Sequence, residues 1–274
     1  MRRQWMQSIL GIVWLFDGLL QFRPRMLGSG FVVHAMLTLS NGEPLWLHRL
    51  VIWNAHLLLW HPALADVSVG VIQIGLGIWL ITGRYARWAL SSSILWAIIV
   101  WVIGEAFGGL FTGASWLGNG APGAALLYAL LSLGLWPTWH RKQRLIYFQT
   151  VAAALWAFES LLWLLPSARL GLGQAIGVEH IGSLTGLALC ALIAVLLISP
   201  RGVSIGALSA TGMALIIWTF NEKLGQFWQP YATDINSGFL LALISVGALV
   251  FQRRAQPPQV HQDERPRDNP KQVG

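Results

Sequence analysis

The chain has 274 residues, 55% of them hydrophobic and 11% charged, with a formal net charge of +7. Soluble domains carry about 25% charged residues, so this composition excludes an ordinary soluble domain and points to an all-α integral membrane protein whose first partner is the lipid bilayer. The basic residues lie in short clusters between apolar spans, without a basic, aromatic-interleaved surface, which excludes nucleic acid as a partner, and the single cysteine, Cys190, excludes an intrachain disulfide or a Cys-rich metal centre.

A transmembrane helix needs about 20 mostly apolar residues. Taken in order, eight segments are predicted to span, near 5–22, 65–83, 88–108, 121–137, 145–165, 180–199, 203–222 and 236–252. The first lacks a small-residue cleavage site after its apolar run and reads as a retained helix rather than a signal peptide. With the N-terminus inside, the cytoplasmic segments hold 13 of the 18 Lys and Arg residues, from Arg2 and Arg3 to the tail. That bias puts both termini in the cytoplasm. The tail, 253–274, is polar and proline-rich and is expected to be disordered.

Asp17 sits inside the first span, in "VWLFDGLLQF", and the fifth span repeats the pattern as "LWAFESLLWL". Trp14 thus matches Trp156, and Asp17 matches Glu159, 142 positions on. Later matches keep an offset of 117: Trp101 with Trp218, Glu105 with Glu222, Gly108 with Gly225, Asn119 with Asn236. The difference corresponds to an insertion near 38–62. Four spans per half return the chain to the same side, so the expectation is two parallel four-helix repeats, 1–140 and 141–252. Within the insertion, His48, Trp53, His56 and Trp60 recur at helical steps, which predicts an amphipathic helix lying on the outer surface.

Intramembrane acids mark functional sites by default, and Asp17, Glu105, Glu159 and Glu222 all fall in the outer third of the bilayer. Three readings stand. They anchor the Gly-rich loops by accepting backbone or indole N–H groups; they exchange protons beside a quinone or a carried solute; or, with Asp66, Glu179, His180, His56 and His61, they contribute to an outer-face site for a divalent metal. Trp14, Trp101, Trp156 and Trp218 stand beside the acids and are candidates to line a pocket, with packing as the alternative.

The stretches "GIVWLFDGLLQFRP" and "WVIGEAFGGLFTGASWLGNGAPGAALLYALL" resemble a group of bacterial, largely uncharacterised multi-span membrane proteins over most of the chain. Each four-span half is also similar to DoxX-like proteins, some of which serve in thiosulfate:quinone oxidoreductases or in enzyme maturation. The resemblance implies a multi-pass protein of the bacterial cytoplasmic membrane and carries over no catalytic residue. The functional expectation is a subunit associated with quinone or a membrane redox partner, or a homo-oligomer. The alternatives are a proton- or cation-coupled carrier of a small solute and an outer-face metal-binding protein. The absence of haem-attachment, nucleotide-binding and nucleophile motifs argues against a self-contained enzyme.

Overall fold

The computed structural model describes residues 2–113, 115–164 and 179–252. Among them all regular structure is helical. The principal helices are α1 (Arg2–Leu20), α2 (Leu45–Trp60), α3 (Pro62–Thr82), α4 (Ala86–Ile99), α5 (Ala124–Gly134), α6 (Arg141–Leu162), α7 (Glu179–Ile198), α8 (Val203–Ile216) and α9 (Ser237–Gln252). The expected disordered tail, 253–274, lies outside the described residues, as do the side chains of Glu179 and His180.

Four helical segments are long and apolar enough to cross a membrane: Pro62–Thr82, Ala86–Gly104, Arg141–Leu162 and Val203–Asn221. This corrects the expectation of eight such helices, for identifiable reasons. Arg3, Gln4, Gln7 and Asp17 dilute the apolar character of α1. α5 and α9 have 11 and 16 residues, because the loops before them take up length that the sequence pattern assigns to a helix. α7 has 20 residues, but its described side chains begin at Leu184.

The most extensive helix contacts are α1 with α3, α6 with α7, α8 with α9, α6 with α9, and α4 with α5. Small residues set the first pair. A Cβ at Gly77 would lie 2.7 Å from the Gly11 carbonyl oxygen, and one at Gly18 2.9 Å from that of Gly70. Such residues let backbones approach where burial of apolar surface supplies little drive between helices. At the end carrying the N-terminus, basic and amide side chains satisfy helix carbonyls. Arg2 donates to Val250 O at 2.8 Å, Arg141 Nε to Phe251 O at 3.0 Å, and Gln7 Nε2 to Leu80 O at 2.8 Å.

The opposite end carries the long connections. The insertion forms α2, which buries Leu47, Val51 and Ala55 against Val32, Met36 and Ala106. Its Trp46, Trp53 and Trp60 face outward. The helix occupies Leu45–Trp60, and its exposed side mixes these tryptophans and Leu57 with Arg49 and His56.

Candidate functional site

α4 and α8 end alike. Each widens into a π turn, Val100–Gly104 or Ile217–Asn221, and the next residue, a glutamate in both, donates its N–H five residues back: Glu105 to Val100 O at 2.9 Å and Glu222 to Ile217 O at 3.0 Å. A π turn inserts one residue into the helix and rotates the facing of the residues beyond it. Four left-handed residues then reverse each chain: Ala106, Phe107, Gly108 and Gly109 in one, Lys223, Leu224, Gly225 and Gln226 in the other. Left-handed backbone is costly for residues other than glycine, so five of these eight positions hold strain offset by the contacts around them. At Gly108 and Gly225 a Cβ would run into the Pro122–Gly123 and Ile235 backbones respectively. Only glycine permits that approach.

The returning loops are tied to the same two side chains in each half. Trp101 Nε1 donates to Pro122 O at 2.8 Å, and Trp218 Nε1 to Ile235 O at 2.7 Å. Glu105 accepts the Ala125 N–H on both oxygens, at 3.1 and 3.2 Å, and Glu222 accepts the Gly238 N–H at 2.9 Å. Each carboxylate therefore takes an unsatisfied amide at the start of α5 or α9, where the helix dipole favours negative charge. The acids of α1 and α6 reach the loop of the other half. Glu159 accepts the Leu117 N–H at 2.9 Å, and Asp17 faces the Ile235 backbone amide.

Trp14 and Trp156, matched in the sequence, differ in their surroundings. Trp14 Nε1 donates to Ser93 Oγ at 2.8 Å, Ser93 pairs with Ser132 at 2.8 Å, and the Trp14 ring stacks on Tyr128 at 4.1 Å. The Tyr128 hydroxyl donates to Asp17 Oδ2. Trp156 is fully buried, and its Nε1 has no hydrogen-bond partner among the described residues. Ala210 stands 117 positions after Ser93, so the hydroxyl that Trp14 uses has no counterpart there.

A cavity of 510 Å³ opens in the first half, between α1, α3, α4 and α5, beneath α2 and the loop before α9. Four carboxylates line it: Asp17, Asp66, Glu105 and Asp234. Gln21, Gln73 and Asn54 add amides, and Trp14, Trp96, Tyr128 and Tyr231 supply aromatic walls. No Lys or Arg is among the described lining residues. Asp17 is 1% exposed, and Asp66 and Gln73 are each 5% exposed. Asp66 Oδ2 and Gln73 Oε1 have no hydrogen-bond partner among the described residues. Unpartnered acceptors in a buried site are costly.

Asp234 lies close enough to both Asp17 and Glu105 for their charges to interact. Burial pushes its own carboxyl above the ordinary range. Bonds from the Thr233 hydroxyl at 2.8 Å and the Asn236 N–H at 2.6 Å pull the other way. The Thr233 carbonyl in turn accepts from Gln21 Nε2 at 3.4 Å, joining this loop to the end of α1.

Of the residues singled out from sequence, Asp17, Glu105, Asp66 and Trp14 meet at this cavity, whereas Glu159, Glu222, Trp101, Trp156 and Trp218 do not line it. His56 and His61 are exposed, apart from the buried Asp66. Glu179 and His180 fall outside the described side chains. Among the described residues no three His, Cys, Asp or Glu side chains come together as a metal site. Asp234, Tyr128, Gln73 and Tyr231 escape the sequence reading. Asp234 has Leu117 at its offset of 117, so the repeat gives no signal for it. No family model, curated protein or solved structure matches this chain.

Proposed function

We propose that this protein is a multi-pass membrane carrier that binds a small organic cation in its acid-lined cavity and exchanges it for protons. One observation carries this reading: four carboxylates line a single cavity whose described lining holds no basic residue. Like charges at such distances are not all ionised without compensation. Protons supply it in one state and a cation in the other. The aromatic walls favour the same ligand, since the face of a Trp or Tyr ring attracts a cation.

The duplication is part of this proposal. The two π turns, the two left-handed reversals and the two Trp–Glu anchors support a parallel repeat of four helices. On this reading α1, α5, α7 and α9 complete eight membrane passes. The loops before α5 and α9 then make up the missing depth, as non-helical backbone does where protein buries it. The N-terminal Arg cluster and the basic ends at Arg84, Arg141 and Arg201 favour a cytoplasmic position for that end, and the resemblance noted above favours a bacterial membrane. The second half serves as scaffold, its Glu159 holding the loop at Leu117.

A quinone, the ligand suggested by the DoxX-like resemblance, presents carbonyl acceptors and calls for donors. The cavity offers four carboxylates against one unpartnered buried indole donor, Trp96 Nε1, and its phenol facing Asp17 already donates to that carboxylate. The donor balance therefore favours a cation.

The test is uptake into proteoliposomes with an acidic interior, using tetramethylammonium, a permanently charged probe that does not cross bilayers unaided. Uptake above that of protein-free vesicles, lost in Glu105→Gln, supports the reading. Rates equal to protein-free vesicles overturn it.

A further inference from the structure

The cavity is anionic at two levels. α1 and α3 run antiparallel, with Gly11 against Gly77 and Gly18 against Gly70. That register sets Asp17 level with Val71, so Asp66 lies five residues nearer the loop end. At 1.5 Å per residue this is roughly 7 Å along the helix axis. Glu105 and Asp234 interact electrostatically with Asp17. Asp66 stands apart on α3, 5% exposed, with Oδ2 unpartnered while lining the same cavity. Glu159 and Glu222 each accept a backbone amide on one oxygen, from Leu117 and Gly238. Asp66 has no such bond among its described neighbours, and burying it at a cost is explained when a ligand supplies the donor.

We infer that the ligand is a short aliphatic diamine, bound with one ammonium group at Asp17 and the other at Asp66, each of which has an unpartnered oxygen and lines the cavity. This rests on the cation-binding reading above and specifies its ligand. Four methylenes separate two ammonium groups by about 6 Å at ordinary bond lengths, which suits two anionic levels so spaced. A single ammonium occupies one level and leaves Asp66 uncompensated. The stacked rings of Trp14 and Tyr128 form an apolar wall beside Asp17. Gln73, with its Oε1 unpartnered, adds an acceptor for an ammonium hydrogen.

The test is equilibrium binding to purified full-length protein in detergent, by titration calorimetry, with 1,4-diaminobutane and butylamine as paired probes. The diamine is expected to bind at least about tenfold more tightly than the monoamine. Asp66→Asn is expected to abolish the difference in affinity between the diamine and the monoamine. Asp66→Glu, which keeps the charge, is expected to retain a preference for the diamine. Each variant is compared with wild type by its unliganded melting temperature and elution profile. If Asp66→Asn does not fold, the comparison of the two amines on wild type and on Asp66→Glu decides alone. Equal affinities on wild type, or a diamine preference that survives in Asp66→Asn, overturn the diamine inference and leave cation binding standing. If neither amine binds wild type, cation binding itself fails.

Discussion

The Tyr128 hydroxyl donates to the Asp17 carboxylate, joining α5 to α1 at the deep wall of the cavity. The same ring stacks on Trp14, one helical turn before Asp17. Asp17 is thereby fixed in rotamer and pointed at the space shared with Glu105 and Asp234. Tyr128→Phe keeps the stacking and removes the donor. A hydrogen bond to a charged group contributes about 1.5–3 kcal/mol, so amine affinity is expected to fall by about tenfold or more. Calorimetric titration with butylamine checks this, with the melting temperature reported beside it.

Glu222 offers the contrast of a carboxylate that holds the fold without lining the cavity. It accepts the first free amide of α9, at Gly238. Glu222→Ala leaves that buried N–H without a partner, at a cost of about 1–3 kcal/mol, and the melting temperature should drop. Glu222→Gln keeps an acceptor oxygen and should retain most of the stability. Butylamine affinity is expected to be unchanged in the glutamine variant, and a large loss there would assign Glu222 to the site.

The contact of α1 with α3 rests on glycines that admit nothing larger. Gly77→Leu places its Cβ against the Gly11 carbonyl and the Leu15 amide, each at 2.7 Å before relaxation. Overpacking of this kind costs about 1–3 kcal/mol. Gly75, two positions away, has no neighbour within 4 Å of its Cβ. Gly75→Leu should therefore be tolerated in detergent, and thermal unfolding of the two variants side by side reads the difference.

The repeated Trp-x-x-x-Glu pattern is legible in the sequence, because residues four apart share a helix face and both halves keep the spacing. The structure gives the two glutamates matching tasks: Glu105 and Glu222 each hold the start of the next helix. The cavity is not legible. It depends on the register of α1 against α3 and on the return of the loop after Gly225, neither of which periodicity encodes. Asp234 lies in the loop before α9 with no acid at its offset of 117, and it is the inward fold of that loop, whose backbone Gln21 holds, that brings it to the cavity. Nearness in the chain groups Asp66 with His56 and His61, but α3 turns Asp66 inward while both histidines face out. The apolar pattern overstates span length at α5 and α9, since loop residues such as Ala121 and Ile235 are buried by protein without being helical.

The pH dependence comes from Asp234, which stands in the loop outside the spanning segments. Burial raises its proton affinity above that of an ordinary carboxylate. A cation competes with that proton, so amine affinity should rise with pH through the raised titration and level off above it. For the unliganded protein the sign is opposite. The folded state binds the proton more tightly than the unfolded one, so stability falls as pH climbs from the ordinary carboxylate range through the raised value. Asp234→Asn should flatten both profiles in that window, as calorimetric titration and thermal melts over a pH series measure.

The central claim is that the carboxylates around Asp17 trade protons for a bound cation. It is tested most directly by counting protons released when butylamine saturates the purified protein, from calorimetric titrations at one pH in buffers of different ionisation enthalpy. Proton release tied to saturable binding is expected in the wild type, with both diminished in Asp17→Asn and in Glu105→Gln. Saturable binding without proton release, or binding that survives unchanged in both variants, contradicts the claim.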